Sequence, residues 1–149
     1  MPNPLTKKYS FYIGIDPGVN TGLSIWDKKQ KTLIQVQTIA IHKAWEIVTT
    51  FQNANHDLFI RVEDARQRKW IPQEKNIKQR VGRAKGAGSV SRDCTIWEDF
   101  LTDLKVDFEM VAPRKGMTKY DEETFKKITG YSKQTSSHAR DAAMLVYGM

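Results

Sequence analysis

The sequence predicts an α/β fold built on a five-stranded mixed sheet, and three observations carry that reading. Residues 9–39 hold three runs rich in aliphatic and aromatic residues, separated by turn signals, which read as an antiparallel meander. A helical pattern over 40–54 leads into Leu58-Phe59-Ile60-Arg61-Val62-Glu63, and helix-to-strand order sets this fourth strand parallel to the first. A fifth strand, Phe108 to Ala112, follows a second helix. Three antiparallel strands, a fourth parallel to the first and a fifth beyond a second helix are therefore expected.

Each element has its own signal. Residues 1–8 read as a polar lead-in. In the first strand, 9–16, Phe11, Ile13 and Ile15 alternate with Tyr12 and Gly14. It delivers Asp16 to Pro17-Gly18, a turn in which proline fixes φ and glycine accepts φ > 0. Gly14 and Gly22 leave room for another backbone or a ligand. Asp16 either stabilises this turn or holds a metal ion. Leu23-Ser24-Ile25-Trp26 reads as the second strand, Lys28-Lys29-Gln30-Lys31 as a solvated hairpin tip, and Leu33 to Ile39 as the third strand. Ala44, Ile47, Val48 and Phe51 fall at helical spacing. A helix over 89–104 carries Val90, Cys94, Trp97, Leu101 and Leu104 on one stripe, with Ile96 and Phe100 on another face. Two apolar faces want two partners, the sheet and a second subunit, unless the helix is simply buried in a small core. Pro113-Arg114-Lys115-Gly116 opens a basic loop through Lys119. Asp121 to Ile128 is a short helix stopped near Gly130, and Ser136 or Ser137 caps a last helix reaching about Tyr147. There is no repeat, low-complexity tract or linker, so one domain is expected over 1–149.

Composition narrows the partner. The chain of 149 residues can bury one core. Its net charge of +7 points to a polyanion, nucleic acid before an anionic membrane, since no apolar run approaches a spanning length. Met1-Pro2-Asn3-Pro4 leading into Lys7-Lys8 has no signal-peptide character. Cys94 is the single cysteine, which excludes an intramolecular disulfide and fits a reducing, cytoplasmic setting. No CxxC or HExxH spacing calls for zinc. The charge is concentrated. Between Asp64 and Arg92 stand Arg66, Arg68, Lys69, Lys75, Lys78, Arg80, Arg83, Lys85 and Arg92, against only Asp64 and Glu74. The segment alone matches the chain's net charge, and it also holds Trp70 and glycines 82, 86 and 88. It reads as an exposed arm or loop, partly helical, that binds phosphate, rather than as a merely solvated face.

The chemistry rests on acids far apart in the chain. His138 and Asp141 are i and i+3 on the last helix and share a face. Ala142 and Ala143 are small enough to let that helix pack tightly and aim both residues at a strand end. If the first and fourth strands are parallel neighbours, their ends place Asp16 beside Glu63. Clustered carboxylates are costly without a cation, and hard oxygen ligands suit Mg²⁺ or Mn²⁺. Two such ions about 3.5–4 Å apart can drive phosphodiester hydrolysis. Asp64 rivals Glu63: successive strand residues face opposite ways, so one of the two faces the metal, and alternation does not choose between them.

Ile13-Gly14-Ile15-Asp16-Pro17-Gly18, Glu63 after a strand, Val81-Gly82-Arg83-Ala84-Lys85-Gly86 opening a helix, and His138-Ala139-Arg140-Asp141-Ala142 together resemble the RuvC family of Holliday-junction resolvases. The resemblance runs from about Tyr12 to Met149. It implies a ribonuclease-H-like five-stranded mixed sheet, three antiparallel strands with two parallel additions, flanked by helices, and a homodimer that cuts two strands of a four-way junction in recombination and repair. It prefers Glu63 over Asp64 and implies metal ligands at Asp16, Glu63 and Asp141. His138 stands at a position that is usually Asp and sometimes His in that family, so it either binds metal or assists proton transfer. Lys115 matches the family's basic residue after the fifth strand, with Lys119 a looser match. Trp70 either wedges at an opened base step or packs on the domain. The short chain and the charge of its arm fit a phage-type member acting in a host cytoplasm. The competing reading is a catalytically silent nucleic-acid binding module on the same fold. A sugar-kinase or actin-type nucleotide binder shares the Asp-Pro-Gly turn but needs a second domain.

Overall fold

The computed structural model describes residues 8–55, 57–68, 77–113 and 119–149, with the backbone alone for 77–85 and 87. Strands β1 (Phe11–Asp16), β2 (Asn20–Asp27) and β3 (Thr32–Ala40) form the meander. Helix α1 (Ile41–Ala54) leads to β4 (Leu58–Glu63), helix α2 (Ile77–Leu104) to β5 (Asp107–Val111), and helices α3 (Glu122–Thr129) and α4 (Ser137–Met144) close the chain. The sheet order is β3-β2-β1-β4-β5. β1 pairs antiparallel with β2 and parallel with β4, and β5 adds parallel to β4. The expected three-plus-two mixed sheet is observed.

Alternation along the strands divides the core in two. Ile13, Ile15, Leu23, Ile25, Ile60 and Val62 face α1 and α2, where they bury Ala44, Val48, Trp97 and Leu101. Tyr12, Trp26 and Phe59 face the opposite way, against Phe125 of α3 and Ala139, Ala143 and Val146 near the chain end. The parallel register runs from Phe11–Leu58 to Ile15–Val62, so Asp16 and Glu63 are the next residues on neighbouring strands. Asp16 shares the parity of Tyr12, and Glu63 that of Phe59. Both therefore leave the sheet on its α4 side.

Two glycines set how close α4 comes. A Cβ on Gly14 would stand 2.0 Å from the Ala142 carbonyl oxygen, and one on Gly22 would stand 2.1 Å from that of His138. The room expected at these positions is taken by another backbone. Ala139, Ala142 and Ala143 have no exposed surface and complete the close approach. Ser136 caps α4, its hydroxyl accepting from the Ala139 N–H, and Ser136 also hydrogen-bonds Thr38 on β3. Asp121 caps α3, and Gly130 ends it at a φ of 74°.

Some boundaries differ from expectation. α2 begins at Ile77 rather than near 89, so the part of the basic segment carrying Lys78, Arg80, Arg83 and Lys85 is helical throughout, on a continuous helix of 28 residues. Helix-interior glycine costs about 1 kcal/mol relative to alanine, and the series at 82, 86 and 88 masked the helical pattern. The surrounding Lys, Gln, Arg and Ala favour helix and prevail. In α2 the buried side chains among those described fall late, at Asp93, Cys94, Trp97 and Leu101. Phe100 packs with Trp45 and Trp97, so only Ile96 of the second apolar face stands open. Gly18 does not use positive φ, which among the described glycines occurs at Gly130 and Gly148. No helix among the described residues is long and apolar enough to cross a membrane.

Gly22→Ala is expected to lower stability in denaturant unfolding by about 3 kcal/mol, because the added methyl overlaps backbone. Gly86→Ala, where a Cβ meets nothing within 4 Å, should instead be neutral or stabilising by up to about 1 kcal/mol. Equal losses at the two positions would count against the close approach of α4.

Candidate metal centre

The end of β1 and the first turns of α4 meet at a cluster of donor groups. Asp16, His138 and Asp141 each offer an atom, and these atoms all lie within 4.8 Å of one another. His138 Nδ1 is 2.9 Å from Asp16 Oδ2. The Asp16 side chain is 15% exposed and that of His138 is 56% exposed, so the cluster opens to solvent on the helix side. Lys119 Nζ donates to Asp141 Oδ2 at 2.9 Å. Glu63 is half-buried and stands outside the tight group of three, but near enough for its charge to couple to Asp16 and Asp141.

The electrostatics mark a site short of positive charge. Burial raises the Asp16 carboxyl above its ordinary range, and the His138 hydrogen bond only partly offsets this. Glu63 is pushed up to about 6, first by burial and then by the charges of Asp16 and Asp141, with Lys119 and Arg68 opposing. The Lys119 ammonium is held above its usual value, first by its hydrogen bond to Asp141. Two carboxylates and an imidazole this close, with a third carboxylate beside them, fit a divalent cation by donor chemistry. Oxygen donors suit Mg²⁺, and the imidazole shifts the balance toward Mn²⁺.

The structure separates the two rivals at the end of β4. Asp64 is buried on the α2 side and fully engaged. Arg66 Nε donates to its Oδ1 at 2.8 Å, Arg66 Nη2 to its Oδ2 at 3.0 Å, and Gln67 Nε2 to Oδ2 at 3.1 Å. Burial works against its ionisation, but these hydrogen bonds outweigh it and hold the carboxyl below its ordinary range. Glu63 is the residue turned toward Asp16. Arg66 was expected on a DNA surface. It is exposed, and its guanidinium also pairs with Asp64, with Thr95 Oγ1 at 3.1 Å and with Glu98 Oε2 at 3.2 Å. Arg68 is exposed. Lys69, Trp70, Lys75 and Lys115 lie outside the described residues, and for Lys78, Arg80, Arg83 and Lys85 only the helical backbone is described. Cys94 is buried, and burial pushes its thiol up to about 11, so it is a packing residue.

One residue at the site escaped the sequence reading. Arg140, between His138 and Asp141, donates from Nε to the Tyr120 carbonyl at 2.9 Å and from Nη1 to the Thr135 carbonyl at 2.8 Å. The available signal was a single arginine inside an alanine-rich helix, beside two candidate ligands.

No family model matches the chain, and no curated protein sequence does. Among solved structures the chain is similar to Thermus thermophilus RuvC in complex with Holliday junction substrate. That match has 16% identity and a TM-score of 0.52, covering 89% of this chain and 87% of that one. A second Thermus thermophilus RuvC structure aligns at 17% identity with a TM-score of 0.48, over 89% of this chain and 88% of that one. The sheet order, the flanking helices and the first of these matches agree that the chain has the ribonuclease-H-like fold of RuvC.

Proposed function

We propose that this protein is a metal-dependent endonuclease that hydrolyses phosphodiesters in branched DNA, with the four-way junction as its substrate. The observation that supports this best is the convergence of Asp16, Glu63, His138 and Asp141 from β1, β4 and α4 on one end of a RuvC-type sheet. The similar Thermus structure was solved with a Holliday junction, and the net charge of +7 suits the same class of ligand here.

In this reading Asp16, Glu63 and Asp141 hold Mg²⁺ or Mn²⁺, two ions per site, with His138 as a further ligand or a proton carrier. Bound there, the cation supplies Lewis-acid polarisation of the scissile phosphate and of the attacking water. The chain's own residues bind and orient. Lys119 and Lys115 offset charge on the scissile phosphate. Arg68, Lys69, Lys75 and the basic first half of α2 hold the backbone of the duplex, and Trp70 stacks at an opened step. The whole chain acts as one nuclease domain carrying its own DNA-binding segment, in the cytoplasm of a cell or of a phage host. Two copies pair through α2, where Ile96 is 37% exposed and nothing stands within 4 Å of a Cβ built on Gly86 or Gly88.

Asp16→Asn should abolish nicking of a labelled four-way junction in Mg²⁺ or Mn²⁺ while leaving junction binding intact. A wild-type protein that binds the junction and never nicks it, with either metal, would leave the silent binding module as the better reading. Arg68→Ala combined with Lys69→Ala should reduce the slope of log binding constant against log salt by roughly two, one for each phosphate that the variant no longer neutralises. An unchanged slope removes both residues from the interface.

Glu63 also makes a pH prediction for the metal-free protein. Its folded pKa of about 6 lies above the ordinary 4.5, so between those values the folded state holds a proton that the unfolded chain has released. Stability from this group is therefore present at low pH and is lost as pH rises through about 6. Asp64 works in the opposite sense, but its window lies below the ordinary 3.8. The melting temperature of the wild type relative to Glu63→Gln should fall between pH 4.5 and 6, and added Mn²⁺ should reverse the fall. A flat difference across that interval would contradict the crowding of carboxylates at this site.

A further inference from the structure

Lys119 and Arg140 form a device that the metal ligands alone do not explain. The Lys119 side chain is 74% exposed, yet its ammonium rests on Asp141 at 2.9 Å. A long, exposed lysine gains little from such a pair by itself, because ordering the side chain offsets most of the attraction. Here the neighbouring backbone is tethered. The carbonyl of Tyr120, the next residue, accepts from Arg140 Nε at 2.9 Å. The same guanidinium donates through Nη1 to the Thr135 carbonyl at 2.8 Å and to Thr135 Oγ1 at 3.1 Å. Thr135 is held in turn by Glu122, whose Oε1 accepts from its N–H at 2.9 Å. Arg140 thus ties the chain entering α3 and the chain leaving α3 to α4, one residue before Asp141. A planar fork can bridge two carbonyls in this way, whereas a lysine ammonium is a compact point charge without that fixed span.

We propose that Arg140 is a positioning residue that pins the Tyr120 backbone and so keeps Lys119 seated on Asp141, as the counter-ion a divalent cation must displace. Displacement frees the ammonium beside the site, where a substrate phosphate can take it up. Metal loading and readiness to bind the scissile phosphate are then one exchange. This rests on the metal-site reading of Asp16, His138 and Asp141.

The test is Mn²⁺ binding to the full chain without DNA, read by the electron spin resonance of free Mn²⁺. The samples are wild type, Lys119→Met, Arg140→Lys, the double variant and Asp141→Asn, each checked for folding by thermal melt. Lys119→Met should tighten Mn²⁺ binding by about fivefold, as expected when a cation beside the ligand is removed. Arg140→Lys keeps the charge but loses the bridge. It should tighten binding by about twofold in the wild-type background and have no effect in the Lys119→Met background, since neighbours acting through one contact are not additive. Unchanged or weaker binding in Lys119→Met overturns the proposal, as does an Arg140→Lys effect of equal size in both backgrounds. If Arg140→Lys does not fold, the Lys119 side-chain NMR signal during Mg²⁺ titration of the wild type decides: it should move as the ammonium is released, and a static signal overturns the proposal. Mn²⁺ binding lost in Asp141→Asn but unaffected by Lys119→Met defeats this inference alone. Mn²⁺ binding that Asp141→Asn does not weaken defeats the metal-site reading and this inference with it.

Discussion

α4 touches the sheet with its backbone as well as its side chains. The carbonyls of His138 and Ala142 sit where Gly22 and Gly14 would otherwise carry a Cβ, and the alanines at 139, 142 and 143 have no exposed surface. The donor cluster depends on this contact. With the helix axis fixed against β1 and β2, His138 can reach Asp16 only from the turn that stands over Gly22, and Asp141 follows one turn later on the same side. Rotamers adjust the donors by small amounts, and the glycines decide whether they meet at all. A helix of 8 residues is far too short to hold itself in water, so this packing supplies its stability too.

Electrostatics at the cluster follow from the same geometry. The ends of β1 and β4 present Asp16 and Glu63 side by side, and α4 adds Asp141. Burial first, and the neighbouring carboxylates after it, disfavour ionisation and hold Asp16 and Glu63 above their ordinary range. Positive groups answer part of this, His138 at Asp16 and Lys119 at Asp141. One residue further along the chain the outcome is the reverse. Asp64 is more buried than Glu63 but takes hydrogen bonds from Arg66 and Gln67, and its carboxyl sits below its ordinary range. Adjacent acids thus divide between a satisfied structural pair and a cluster with charge left over.

Much of the fold was legible because it rests on local signals. The meander came from alternation and turn residues, the parallel placement of β4 from helix-to-strand order, and the ends of α3 from Asp121 and Gly130. The start of α2 was legible only in part, since glycines 82, 86 and 88 imitate a loop and the buried side chains among those described fall late in the helix. The choice between Glu63 and Asp64 was also out of reach of the strand itself. β4 is covered on both faces, so Leu58, Phe59, Ile60 and Val62 are all buried and give no apolar-in, polar-out pattern to read. Three-dimensional register and partners distinguish them: Glu63 leaves β4 beside Asp16, whereas Asp64 meets Arg66, which also binds Glu98 of α2. Composition likewise records the Arg66 charge but not the neighbour, Asp64, that already answers part of it.

Arg140 shows how one short helix divides its surface. Its small residues meet the sheet, His138 and Asp141 meet the strand ends, and Arg140 reaches the chain on either side of α3. These assignments are forced by spacing. Residues 139, 142 and 143 occupy the stripe three and four apart that faces β1 and β2, 138 and 141 lie one position back, and 140 is left on the flank away from both. A long side chain on that flank can reach only neighbouring loops, and a guanidinium there meets backbone carbonyls that need donors. The segment carrying Lys119 is thereby tied to the helix that carries Asp141, so their ion pair follows from how the chain re-enters the sheet.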